Sequence, residues 1–248
     1  MDTRFWGPSA WRLFHLQTFA LEKGFLKKST ALYTFYKNLP FILPCKFCRE
    51  SLAEYYESQP LKEAWDSDTL TEWLYTIHNR VNDKLRKQHL LRCKNPSFSE
   101  VRTKYEKWVM QDFLHYNILG FDFFKSVAYI SAKENPQLEL WWSTLAESLP
   151  FPEWRSAWSK AEKEFGPAPV EKGKHSMLSW LYRIHMHINK TLNGQFKEQN
   201  FQDFSHEARA FSSKCSDKSK TCRANKFNQR NSLKKHRKFT LKQVGGFY

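Results

Sequence analysis

Two cysteines three positions apart, Cys45 and Cys48 in Pro44-Cys45-Lys46-Phe47-Cys48, are the residues best suited to chemistry in this chain. A pair at this spacing closes a small, easily reduced ring. A helix start behind Pro44, with Lys46 alongside, favours the thiolate that attacks disulfides. The spacing alone leaves three readings open: a redox dithiol, half of a zinc site with Cys93 and His89, or two unpaired buried thiols. A thioredoxin-type dithiol needs strand-helix-strand flanks, and the flanking pattern here is helical.

A second group is polar and aromatic. His78-Asn79-Arg80-Val81-Asn82-Asp83-Lys84-Leu85 reads as helix, with His78, Asn82 and Leu85 on one side, offering polar edges and an apolar wall to a flat ligand. Gly7-Pro8-Ser9-Ala10-Trp11, followed by Leu13 and His15, reads as a turn and a helix start able to face phosphate, with a ring one turn in. Cys215 and Cys222 form a third group, with six residues between them in a Lys-rich stretch that lowers thiol pKa. From the residues alone they read as a small structural disulfide, two unpaired thiols, or a zinc site with His206 or His236.

The elements that position these groups are helical. Trp11, Phe14, His15, Thr18 and Phe19 share one face, as do Leu70, Trp73, Leu74, Ile77, Val81 and Leu85. Leu39-Pro40-Phe41-Ile42-Leu43-Pro44 breaks the pattern and leaves Cys45 at the start of a new helix. Asn95-Pro96-Ser97-Phe98-Ser99 is another break, with Ser99 read as the cap of a helix carrying Val101, Tyr105 and Trp108. The second half repeats the first. Trp73-Leu74-Tyr75, Ile77-His78, Val81-Asn82, Leu85 and Gln88 recur as Trp180-Leu181-Tyr182, Ile184-His185, Ile188-Asn189, Leu192 and Gln195, all displaced by 107 positions. Leu39-Pro40-Phe41 recurs as Leu149-Pro150-Phe151, and Gly7 corresponds to Gly120. Trp, Tyr, His and Asn in register are not dictated by helix periodicity, which argues for an internal duplication.

Composition sets the outer bounds. At 248 residues and 41% apolar content the chain can fill one large core or two modest ones without disulfide staples. Five cysteines are too few and too scattered for a disulfide scaffold. The formal charge of +15 lies largely in the tail, where residues 205–248 hold 12 Lys or Arg against Glu207 and Asp217. Such a tail is expected to be flexible and to attract acidic partners without specificity. No run of about 18 apolar residues occurs, and Met1-Asp2-Thr3-Arg4 lacks the layout of a secretory signal, so no membrane span and no conventional secretion are expected.

Taken in order, Gly7-x-Ser9-x-Trp11-x-Leu13-x-His15, Pro44-Cys45-x-x-Cys48 and His78-Asn79-x-Val81-Asn82-x-x-Leu85 resemble the three motifs of the Erv-type FAD-linked sulfhydryl oxidases, a family that includes enzymes of large DNA viruses. The resemblance spans roughly residues 4–108. It implies an all-α fold: an FAD-binding bundle over residues 1–110, a degenerate, inactive copy over 111–198, and a flexible basic tail over 199–248.

It also implies a flavin-linked thiol oxidase. Cys45 would accept electrons from thiol-containing protein substrates, and Cys48, next to the flavin, would pass them on toward molecular oxygen to give hydrogen peroxide. Trp11, His15, His78, Asn79, Val81, Asn82 and Leu85 would line the FAD. Lys104 and Tyr105 would meet its phosphate and adenine ends, and Gly7, Pro8, Ser9 and Ala10 would approach through backbone. No metal is expected, and Cys215 with Cys222 would be the shuttle pair.

Relatives often staple the last helix with a second disulfide. Tyr75 stands at the place of its first cysteine, so packing must hold that helix here. The second copy lacks a cysteine pair near Pro152-Glu153-Trp154 and has Met186 where the first has Asn79. It could stand in for a partner subunit, as an alternative to a homodimer. A viral member would act in host cytoplasm or virion. The alternatives from other classes are a non-catalytic basic scaffold and a zinc-dependent nucleic-acid-binding protein.

Overall fold

The computed structural model describes residues 1–63, 65–131, 135–192 and 199–212. Among them the fold is all-α, as expected. The order is α1 (Thr3–Glu22), α2 (Thr30–Lys37), α3 (Leu39–Ile42), α4 (Lys46–Ser58), α5 (Ser67–Lys87) and α6 (Phe98–Val109), then α7 (Asp112–His115), α8 (Phe121–Ile130), α9 (Pro136–Ser148), α10 (Pro152–Phe165), α11 (Lys174–Leu192) and α12 (Phe201–Ala210). No helix among the described residues is long and apolar enough to cross a membrane. Gln195, Cys215, Cys222 and His236 lie outside the described residues.

Local chemistry sets the boundaries. The Asp66 side chain caps α5 by accepting from Thr69 N, and Thr69 returns the bond, a reciprocal box that satisfies two orphan N–H groups. Helix α6 is capped by Ser97 with Glu100, not by Ser99, because only Ser97 has an acidic residue three positions on to complete the box. Residues Gly7 to Trp11 are not a turn: α1 begins four residues earlier, where the Asp2 side chain accepts from Arg4 N, and Pro8 sits inside the helix. Their backbone N–H groups are therefore not a helix terminus open to phosphate. The segment read as tail from 199 begins with α12, which buries Phe204 and Ala208 because its apolar residues fall one turn apart.

The core is continuous across both halves and dominated by rings. Trp141, Trp142, Trp154, Trp158 and Trp180 are fully buried, with Phe35, Phe123 and Phe124 among them. Each large aromatic removes on the order of 200 Å2 from water, about 5 kcal/mol of gross transfer free energy.

Equivalent contacts recur in the two halves. Trp73 Nε1 donates to Gln59 O at 3.0 Å, and Trp180 Nε1 to Gly166 O at 2.9 Å. Arg49 donates to Leu43 O and Arg155 to Leu149 O, both at 2.7 Å. Tyr75 bonds Pro96 O and packs on Phe98, and Tyr182 bonds Gln199 O and packs on Phe201. Tyr75 thus ties α5 to the start of α6 by a hydrogen bond and a ring contact. Helix α1 packs on α5 and α6, and α8 on α11 and α12; across the middle, α1 packs on α8 and α2 on α9.

Candidate active site

Cys45 is the N-cap of α4, in extended backbone at φ −135° and ψ 122°, and its carbonyl accepts from Cys48 N and Arg49 N at 3.0 Å each. One turn in, the Cys48 S–H faces the Cys45 sulfur. That contact comes first, and with the nearby backbone N–H groups of Cys48 and Phe47 it outweighs burial and draws the Cys45 pKa down to about 7. Cys48 is pushed well up, first by its bond to Cys45 and then by burial, while Lys84 on α5 pulls the other way. In the dithiol, then, the thiolate belongs to Cys45. The capping position of Cys45 faces the N–H groups at the start of the helix.

Cys45 is only 2% exposed, in a corner where Met1, Leu43 and Pro44 are buried too, whereas Cys48 is half-buried. Alkylation of the reduced protein, mapped to Cys45, should accelerate as pH rises through about 7, where the thiolate fraction grows. Cys48→Ala should move that rise to higher pH; an unmoved midpoint would show that the Cys48 S–H does not hold the charge.

The polar and aromatic group assembles from three helices. His78 of α5 stacks on Trp11 of α1 at 3.8 Å and 6°, and its Nδ1 lies 2.9 Å from His15 Nε2. His15 stacks on Tyr105 of α6 at 4.8 Å, and Tyr105 on Phe19 at 5.7 Å. The result is a column of rings: Trp11, His78, His15, Tyr105, Phe19. Burial, then His78 and Lys104, holds the His15 pKa well below normal, and burial followed by Lys104 takes His78 down to about 3. Both imidazoles are neutral at pH 7, so one ring nitrogen of the pair donates and the other accepts.

Beside the column lie two cations that sequence reasoning treated unequally. Lys104 holds its amine 4.9 Å from the Trp108 ring and 5.2 Å from Tyr105, and its pKa is lowered by burial and then by Arg12. Arg12 was not singled out in the sequence; its position directly after Trp11 is the signal that could have found it. The remaining motif residues are Gly7, Pro8 and Ser9, half-buried on α1, and Ala10, which is buried. Asn79, Val81, Asn82 and Leu85 are half-buried on α5, with Asn82 donating to Asn95 Oδ1 at 3.1 Å.

These residues fit a flat, anionic cofactor such as FAD. His15 Nδ1 is buried without a hydrogen-bond partner, Arg12 and Lys104 place like charges together, and a Cβ added at Gly7 would meet nothing within 4 Å. Among the described residues no three His, Cys, Asp or Glu side chains converge as a metal would require.

The corresponding corner of the second half is built differently. His185 is packed by Phe121 at 4.0 Å and Phe204 at 5.7 Å. Lys125 pairs with Glu207 at 2.6 Å and lies over Phe204 at 4.2 Å. No cysteine occurs at α10.

Fold and site together define an all-α protein with a Cys-x-x-Cys pair at a helix start and a column of rings in the same bundle. Residues 8–108 match the model of the Erv1/Alr family. A FAD-linked sulfhydryl oxidase of African swine fever virus is 31% identical over 108 residues, 43% of this chain and 84% of that relative. A probable FAD-linked sulfhydryl oxidase of Acanthamoeba polyphaga mimivirus is 30% identical over 89 residues, 33% of this chain and 59% of the relative. The chain belongs to the Erv1/Alr family. No solved structure matches it.

Proposed function

We propose that this chain is an FAD-dependent thiol oxidase that forms disulfides in protein substrates and delivers their electrons to oxygen. The balance is 2 R-SH + O2 giving R-S-S-R + H2O2. FAD, when bound, would supply the two-electron relay between the Cys45-Cys48 pair and oxygen. One observation carries the reading: a dithiol tuned toward thiolate lies in the same bundle as a column of neutral rings flanked by two cations. Trp11, His15, His78, Asn79, Val81, Asn82, Leu85 and Tyr105 would hold the ring systems, Arg12 and Lys104 the phosphates, and Gly7 to Ala10 would contribute close backbone.

The protein's own residues account for the thiol chemistry. A substrate thiolate attacks the Cys45 sulfur of the Cys45-Cys48 disulfide, forming a mixed disulfide and releasing Cys48 as thiolate. The second substrate thiolate then displaces Cys45, leaving the substrate oxidised and the pair reduced. While Cys45 is tied up in the mixed disulfide it carries no charge, so the main cause that raises the Cys48 pKa is lifted. Lys84, held by Ser51 one turn beyond Cys48, then favours the leaving thiolate. Because Cys45 is buried, attack requires local opening of its corner.

The second half reads as a degenerate copy, supported by the recurring Trp, Arg and Tyr hydrogen bonds at equivalent positions. Its Lys125-Glu207 pair neutralises what would be the phosphate cation, and Phe121 with Phe204 occupies the ring site. Packing of α1 on α8 and α2 on α9, like on like, supports an internal pseudo-dimer in which the copy replaces a partner subunit. Helix α12 then completes the second bundle as α6 completes the first. The viral relatives support action in host cytoplasm or virion.

The test is the visible spectrum of the purified protein together with oxygen uptake on dithiothreitol. Flavin bands and peroxide production are expected. A colourless protein that takes up no added FAD would favour the scaffold or zinc reading.

A further inference from the structure

Between α4 and α5 lies a cleft of about 290 Å3 lined by Tyr55, Arg80, Asp83, Lys84 and Lys87, of which Lys84 alone has been given a role above. Cys48, Ser51 and Tyr55 follow at three-and-four spacing and so share the face of α4 that borders it. Lys84 donates to Ser51 Oγ, which itself donates to Phe47 O at 2.8 Å, so one end of the cleft lies a single helical turn from Cys48. Arg80 lies over the Tyr55 ring at 4.5 Å.

The charge is mainly positive, with Arg80, Lys84 and Lys87 against Asp83. Asp83 is already paired with Arg86, while among the described residues Arg80, Lys84 and Lys87 have no carboxylate partner. Of the exposed acids of α4, Glu50 and Glu57 recur at helical spacing away from this face, while Glu54 and Asp83 act on the Tyr55 hydroxyl. We infer that this cleft docks an acidic segment of the substrate protein next to its reactive cysteine, an inference that rests on the thiol-oxidase reading above. Arg80 to Lys87 spans about 10 Å of helix, the reach of about three extended residues. The chain's own tail has the wrong sign for this cleft: Lys214, Lys218, Lys220, Arg223 and Lys226 surround Cys215 and Cys222 against Asp217. A positive rim beside a reactive sulfur raises the encounter rate of acidic partners and suppresses basic ones.

The experiment uses the full flavin-loaded chain and three dithiol peptides, identical except for three flanking Asp, Ser or Lys residues, with dithiothreitol as an uncharged small substrate. At low salt, kcat/KM for the acidic peptide should exceed that for the basic one by about tenfold or more. The gap should close toward 1 M salt, where screening acts within about 3 Å. Combining Arg80→Glu with Lys87→Glu should invert the preference while dithiothreitol turnover and the melting temperature hold.

A wild type indifferent to peptide charge, or a preference that survives the double reversal, overturns the inference. Absence of dithiothreitol oxidation would instead count against the oxidase reading. In that case fluorescence anisotropy of labelled Cys→Ser versions of the peptides decides docking alone: tighter binding of the acidic peptide, lost on charge reversal, sustains it, and equal binding of all three overturns it.

Discussion

Oxygen uptake on a dithiol should fall by about a thousandfold or more in Cys48→Ala, and no further when Cys45→Ala is added. The reason is electron counting. Disulfide exchange moves two electrons together only if the pair can open and close as a ring, so either sulfur alone leaves a mixed disulfide or an idle thiol. Residues that act as a unit lose nearly everything at the first substitution, and the second adds little. Neither change should unfold the protein, because Cys45 and Cys48 contribute small side chains at the edge of a core built from aromatic rings. Bound flavin should persist, since the ring column comes from α1, α5 and α6. Retention of more than about a tenth of wild-type uptake in Cys48→Ala would place electron entry elsewhere and remove the central pair from the mechanism.

What the sequence disclosed about this site, and what it hid, follows from how local each feature is. The cysteine spacing, the helix start after Pro44 and the shared face of His78, Asn82 and Leu85 are properties of adjacent residues and of the 3.6-residue period, and the structure has each where that period puts it. Glycine and proline misled at Gly7-Pro8: they mark turns on average, but an Asp2 cap had already started the helix. Ser99 precedes the apolar run as a cap would, but Ser97 takes the place because Glu100 three positions on completes the reciprocal box.

The residues whose roles the sequence hid, Arg12, Lys84 and Ser51, matter through partners on other helices. Lys84 meets Ser51 across 33 positions, and periodicity cannot supply such a pairing. Thiolate placement was hidden for the same reason: it depends on which sulfur faces the N–H groups at the α4 start, a matter of three-dimensional capping geometry. The 107-residue register was legible because it repeats residue types, whereas the packing of α1 on α8 and α2 on α9 emerges only once both halves are folded.

That packing leads to the second large effect, on stability. Trp141→Ala should cost about 3–5 kcal/mol of unfolding free energy, the range for emptying a buried indole site. Trp141 is fully buried on α9 and touches Phe35 of α2 at 5.2 Å, Phe123 of α8 at 5.8 Å and Trp142 at 5.0 Å. It therefore joins the half that carries the cysteine pair to the half that does not. For a chain of this length the loss corresponds to roughly 10 °C in Tm. Trp141→Phe should cost distinctly less, because the ring contacts are largely kept and the indole Nε1, buried without a partner, is removed.

The decisive readout is in the other half. Cys45 is 2% exposed, so its alkylation reports opening of the first bundle, some distance along the chain from the mutated site. If the two halves share one core, Trp141→Ala lowers the temperature at which Cys45 becomes labelled by the same interval as the Tm, in a single transition. Labelling of Cys45 at its wild-type temperature, with a separate earlier transition for the second half, would mean that the halves fold independently. The repeat could not then be serving as a built-in partner subunit.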